Sequence, residues 1–111
     1  MKYDVTLSDT TAADLWSGVA ITVTGTVAGL GEVRFRMRRQ ASAADETVYT
    51  WSTTDGSITL AALPADASKT VCTVRPRVLS APGVFWWALS SGPLATQTTH
   101  ITGVLRVRAA P

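Results

Sequence analysis

Residues 32–39, EVRFRMRR, alternate apolar and charged side chains without interruption. Successive side chains of a β-strand point to opposite faces, so Val33, Phe35 and Met37 share one face and Arg34, Arg36 and Arg38 the other. At the helical period of 3.6 the same residues would be scattered around the cylinder, which leaves a strand with a core side and a solvent side. Seven further segments carry β-branched residues, mostly in period-two alternation: 2–7, 19–25, 46–52, 57–63, 69–77, 83–91 and 100–110. Tyr3, Val5 and Leu7 define one face of the first, and Val19, Ile21 and Val23 the inward face of the second. In the last, Ile101, Gly103, Leu105 and Val107 oppose Thr102, Val104, Arg106 and Arg108.

The connections are short and polar. Residues 9–18 read as a loop that can hold a helical turn capped by Asp9 or Thr10. TVAGLG (26–31) reads as a glycine loop, Asp55-Gly56 as a hairpin-type turn, and Pro76 marks an edge strand or a strand end because it lacks an N–H. About eight short strands with frequent turns imply an all-β antiparallel sandwich, Ig-like in general architecture, with a partly closed barrel as the other solution. A chain of 111 residues suits one domain, 1–111, and can bury a core without covalent staples.

Several function classes lose their chemistry on composition. Cys72 is the only cysteine and His100 the only histidine, so neither a disulfide nor a Cys/His metal cluster can form within the chain, and no cofactor is expected. Asp9, Asp14, Asp45, Asp55 and Asp66 all stand beside Ser, Thr, Ala or Gly, where turns and caps explain them better than acid–base catalysis. Cys72 alternates with valines as a small buried hydrophobe, and His100 lies in no Ser, Cys or Asp pattern of a triad. TVAGLG precedes a strand, whereas a phosphate loop opens a helix. The expectation is a protein that is not an enzyme. Asp4 and Asp9 fall where a signal peptide needs an apolar run, and no stretch approaches the ~20 apolar residues of a bilayer span. A soluble product of the cytoplasm, without a membrane partner, is therefore expected.

Net charge is only +2, yet its positive side is nearly all arginine. Arg34, Arg36 and Arg38 project from one strand, Arg106 and Arg108 from another, and Arg75 and Arg77 from a third. Neighbouring strands would merge these rows into a basic patch suited to an acidic protein, an anionic glycan or nucleic acid. Nucleic acid is the least expected of these, because single-strand binders interleave exposed aromatics with their basic groups. The tryptophan strand poses the sharper problem: Val84, Trp86 and Ala88 lie on one face, Phe85, Trp87 and Leu89 on the other, so both faces are apolar. Cover for the outer face comes from a loop such as the one carrying Trp16, from another protein, or from a sugar stacked on Trp86 or Trp87. Interface candidates are thus Arg34, Arg36, Arg38, Trp86, Trp87, Arg106 and Arg108.

The order of SDT (8–10), EVRFRMRR, DGSITL (55–60), GVFWWALSS (83–91) and ITGVLRV (101–107) resembles the small β-sandwich domains of phage tail and baseplate proteins. The N-terminal domain of siphophage baseplate upper proteins is the nearest, and the likeness covers most of the chain. That family favours Gly-Asp-Thr at the start, a Tyr-x-Tyr-Asp strand and an acidic-Val-Thr tail, where this chain has Ser8-Asp9-Thr10, Trp86-Trp87-Ala88 and RVRAAP. The resemblance implies a structural or attachment component of a virion, made in the host cytoplasm, which contacts other virion proteins or further copies of itself. Two other readings share the architecture: a carbohydrate-binding module that stacks sugar on an exposed tryptophan, and a capsid decoration protein.

Overall fold

The computed structural model describes residues 4–6, 10–11, 15–39, 47–80, 82–93 and 96–108. They form an all-β, sandwich-like fold. The larger sheet is built on β5 (Val33–Arg38), β6 (Thr47–Ser52), β10 (Gly83–Ser91) and β11 (Thr98–Arg108), with β1 (Asp4–Thr6) and β2 (Thr10–Thr11) along one edge. Its order is β1-β11-β10-β5-β6, with β2 also pairing β11. The smaller sheet has the order β4-β8-β7, from β4 (Val19–Thr24), β8 (Asp66–Val74) and β7 (Ile58–Leu63). A two-stranded ribbon joins β3 (Leu15–Trp16) to β9 (Arg77–Val78).

The expected faces hold where alternation is cleanest. Val33, Phe35 and Met37 on β5 are buried, as are Phe85, Trp87 and Leu89 on β10 and Leu105 and Val107 on β11. Val23, Cys72, Val74 and Ile58 close over them from the smaller sheet, with Val19, Ile21 and Leu60 partly buried at its margin. Aromatic rings fill the space between the layers. Phe35 stacks on Trp87 at 5.1 Å and meets Trp51 edge-on at 5.4 Å, and Trp16 contacts both Phe35 and Trp51. Such pairs add about 0.5–1.5 kcal/mol each to what their buried area contributes.

Four local expectations change. In 9–18 the described residues include β2 and β3, the helical turn expected there falls partly outside the described residues, and Trp16 lies in the core instead of over the outer face of β10. The glycine loop at 26–31 contains the one-turn helix α1 (Val27–Leu30), whose first turn is capped by Thr26 Oγ1 accepting from Gly29 N at 3.0 Å. Leu30 is the reason a turn forms there, since it plugs the core from that end. β1 and β2 pair with β11 in parallel, although the other pairings are antiparallel.

Asp55-Gly56 joins no hairpin: β6 pairs β5 while β7 pairs β8, so this turn carries the chain from one sheet to the other. Ser57 is the pivot. Its Oγ accepts from Ser52 N in the larger sheet at 2.9 Å, while its carbonyl accepts from Arg75 N beyond β8 at 3.0 Å. Gly56 supplies the left-handed backbone, φ 81°, that the reversal needs. Pro76 does mark a strand end: β8 stops at Val74, and β9 begins at Arg77 in a different sheet. Tyr3, Leu7, Asp9, Asp14, the connection at 40–45 and Glu46 lie outside the described residues.

Candidate functional site

The face of the larger sheet turned away from the core is where the sequence-predicted residues meet. Because β10 lies between β5 and β11, their outward side chains form rows across three strands. Arg38 stands opposite Trp86, which stands opposite Val104. Arg36, Ala88 and Thr102 form the next row, and Arg106 faces Val84 at the other end. Directly opposed side chains have Cβ atoms roughly 4.5–5.5 Å apart, so each row is a contiguous strip of surface.

The arginine rows therefore do not merge. β5 and β11 are second neighbours, roughly 10 Å apart, and the Val84–Trp86 strip fills the space between them. Trp86 and Val84 each keep 41 % of their surface exposed. An exposed indole and a valine, bordered by Arg36, Arg38, Arg106 and Arg108, make a surface with an apolar centre and a cationic margin. Arg36 and Arg106 make no hydrogen bond or ion pair among the described residues, whereas Arg38 and Arg108 each have an interaction partner.

Two candidates leave this surface. Trp87 is only 2 % exposed, because the parity that turns Trp86 outward places its neighbour against Phe35. Its Nε1 is buried without a hydrogen-bond partner, so packing outweighs the desolvation of that N–H. Arg34, expected on the solvent side, is 5 % exposed because the turn after β10 closes over the end of β5. Its guanidinium donates to Glu32, to the carbonyl of Gly92 at 2.6 Å and to Gln97 Oε1 at 3.0 Å. Glu32 also accepts from Thr54, and these two donors, Thr54 first, hold its carboxyl below the usual glutamate range. Arg77 is also diverted: it lies over the rings of Tyr49 and Trp51, at 5.0 and 5.2 Å, and donates to the carbonyl of Thr50.

Beside the tryptophan strip the outer face sinks into a groove of about 70 Å³. Arg34, Arg36 and Arg38 line it on one side, Ala88 and Ser90 form its floor, and Gln97 and Thr99 stand opposite. Gln97, Ser90 and Thr99 carry no signal in the sequence that singles them out; the register of β10 against β11 assembles them. A shift in that register between Leu89 and Ser90 also brings His100 to Ser91, whose Oγ lies 2.6 Å from Nε2. Burial holds the imidazole below its ordinary pKa of 6.5. No carboxylate completes a triad with this pair among the described residues, and Ser91 is 6 % exposed, so the bond serves to satisfy a buried hydroxyl. Cys72 is fully buried, which pushes its thiol up to about 11. No group of three or more potential metal ligands occurs among the described residues. The chain matches no protein-family model, and no curated protein matches it.

Proposed function

We propose that this chain is a non-enzymatic structural or attachment component of a phage or prophage particle, and that it works through protein–protein contacts made by the outer face of the larger sheet. One observation carries the docking part of this reading: Trp86 and Val84 stand exposed on the central strand of a sheet, where aliphatic and aromatic side chains would otherwise be covered. Tryptophan and arginine are the side chains that dominate binding energy at protein interfaces, and here they share one surface. The virion assignment rests on the resemblance of the strand order and motifs to tail and baseplate sandwiches, with which the all-β architecture agrees.

The carbohydrate reading uses the same indole. It is the weaker of the two because Trp87 is turned into the core and the neighbours of Trp86 across the sheet are Arg38 and Val104, so among the described residues no second ring extends a stacking platform. The decisive experiment expresses a tagged chain during particle production and purifies the particles on a density gradient. Wild type is expected to co-sediment with them, and a Trp86→Ala, Arg36→Glu double variant of unchanged far-UV circular dichroism is expected to stay in the soluble fraction. Absence of the wild-type chain from particles overturns the reading. A saturable change in tryptophan fluorescence with a soluble glycan would then move the carbohydrate reading to first place.

A further inference from the structure

We infer that the groove beside Trp86 is a carboxylate site, filled by an acidic side chain of the protein that docks on this face. The inference deepens the docking reading and rests on it for the source of the carboxylate.

Three properties of the groove support it. Its first wall contains a buried cation whose hydrogen bonding is incomplete: Arg34 is 5 % exposed, its two terminal nitrogens donate to Glu32, Gly92 and Gln97, and its Nε has no partner. That N–H is shielded from water, so an acceptor that displaces Gln97 from the guanidinium reaches a donor that solvent does not satisfy. The second property is charge. Arg36 lines the same groove, is only partly exposed, and makes no ion pair among the described residues; Glu32 acts on it only at a distance. The third is the supply of neutral donors. Ser90 Oγ and Thr99 Oγ1 lie 3.3 Å apart and share one hydrogen, which leaves the second hydroxyl hydrogen for a ligand.

A planar two-oxygen acceptor matches this set, since arginine presents parallel N–H bonds along each edge of its guanidinium. At about 70 Å³ the groove has room for several waters, so the carboxylate group of a side chain fits in it. Gln97 Oε1 already occupies one acceptor position on Arg34, and its residue is exposed, so it can yield to a stronger acceptor. The neighbouring Val84–Trp86 strip makes a protein the natural carrier of the acid. A second copy of this chain docked face to face would instead set arginine row against arginine row, because a two-fold contact pairs a patch with itself.

The test follows the arginine Nε–Hε resonances of the ¹⁵N-labelled full chain by NMR. The probes are sodium glutarate and sodium sulfate, each against sodium chloride at matched ionic strength. Glutarate is expected to move the Arg34 Hε signal downfield in a saturable way, more tightly than sulfate, and Arg36→Gln is expected to weaken it about tenfold. An Arg34 signal indifferent to glutarate, or moved only by sulfate, overturns the carboxylate assignment. A ten-residue polyglutamate peptide supplies the second arm and is expected to bind more tightly than glutarate by engaging the neighbouring arginines; equal affinity removes the protein as carrier. Glutarate binding without particle incorporation would retain the groove and reject the docking reading, whereas incorporation without glutarate binding would do the reverse.

Discussion

Phe85, Trp87 and Leu89 point from β10 into the core at 0, 2 and 0 % exposure, whereas Val84 and Trp86 on the same strand each keep 41 % of their surface in solvent. The two sets are almost matched in chemistry. What separates them is the second layer: Cys72, Val74 and Ile58 of the smaller sheet close over the inward set, and among the described residues no layer closes over the outward one. Hydrophobicity alone therefore says nothing of whether a side chain stabilises the fold or serves a contact. The comparison also shows where alternation ends. At Leu89, Ser90 and Ser91 three successive residues are buried, because the register against β11 shifts and the following turn returns over the strand.

The largest expected effect divides the two tryptophans. Trp87→Ala is expected to lower unfolding free energy by about 3–5 kcal/mol, as for large core aromatics, while Trp86→Ala changes it by less than about 1 kcal/mol. Urea denaturation followed by circular dichroism measures both, and equal losses would abolish the distinction between the faces. Next comes the reverse asymmetry in binding. Trp86→Ala is expected to weaken association with the docking partner by about 2 kcal/mol, roughly thirtyfold, with the fold intact. A partner that binds wild type and Trp86→Ala equally would shift the contact away from this strip.

A smaller effect lies at the end of β10, where the two-face rule fails. The His100 imidazole, held below pKa 6.5 by burial and bonded to Ser91, is neutral in the folded chain over a range in which the unfolded chain takes up a proton. Stability is therefore fully present above about pH 6.5 and declines as pH falls below it. His100→Gln is expected to flatten that part of the profile, and denaturation midpoints between pH 7.5 and 5 would reveal it; an unaltered slope means that another group titrates there. The smallest effect concerns reactivity rather than stability. Cys72 faces the core from the smaller sheet, with its thiol raised to about 11. A thiol-specific disulfide reagent is expected to label it only as fast as the chain opens, and rapid labelling of the native protein would show that the layers separate easily.

Much of this was legible in the chain itself. Strict alternation in EVRFRMRR placed Val33, Phe35 and Met37 inward, and the parity of GVFWWALSS required one tryptophan out for one tryptophan in. Pro76, which lacks an N–H, stands at a strand end, one of the two positions open to it. Parity is a local property of an extended backbone, so sequence alone determined it.

Only the tertiary structure decided which parity meets a second layer. It set Trp87 rather than Trp86 against Phe35, sent Asp55-Gly56 across the layers, and drew Trp16 into the core. It also buried Arg34 and left its Nε without a partner, because the turn after β10 happens to close over that end of β5. These outcomes depend on residues far apart in the chain, such as Arg34 with Gln97 and Ser91 with His100 across a shifted register. A periodic pattern fixes which side a residue takes, but the occupant of the other side is chosen by chain topology, which no short window contains.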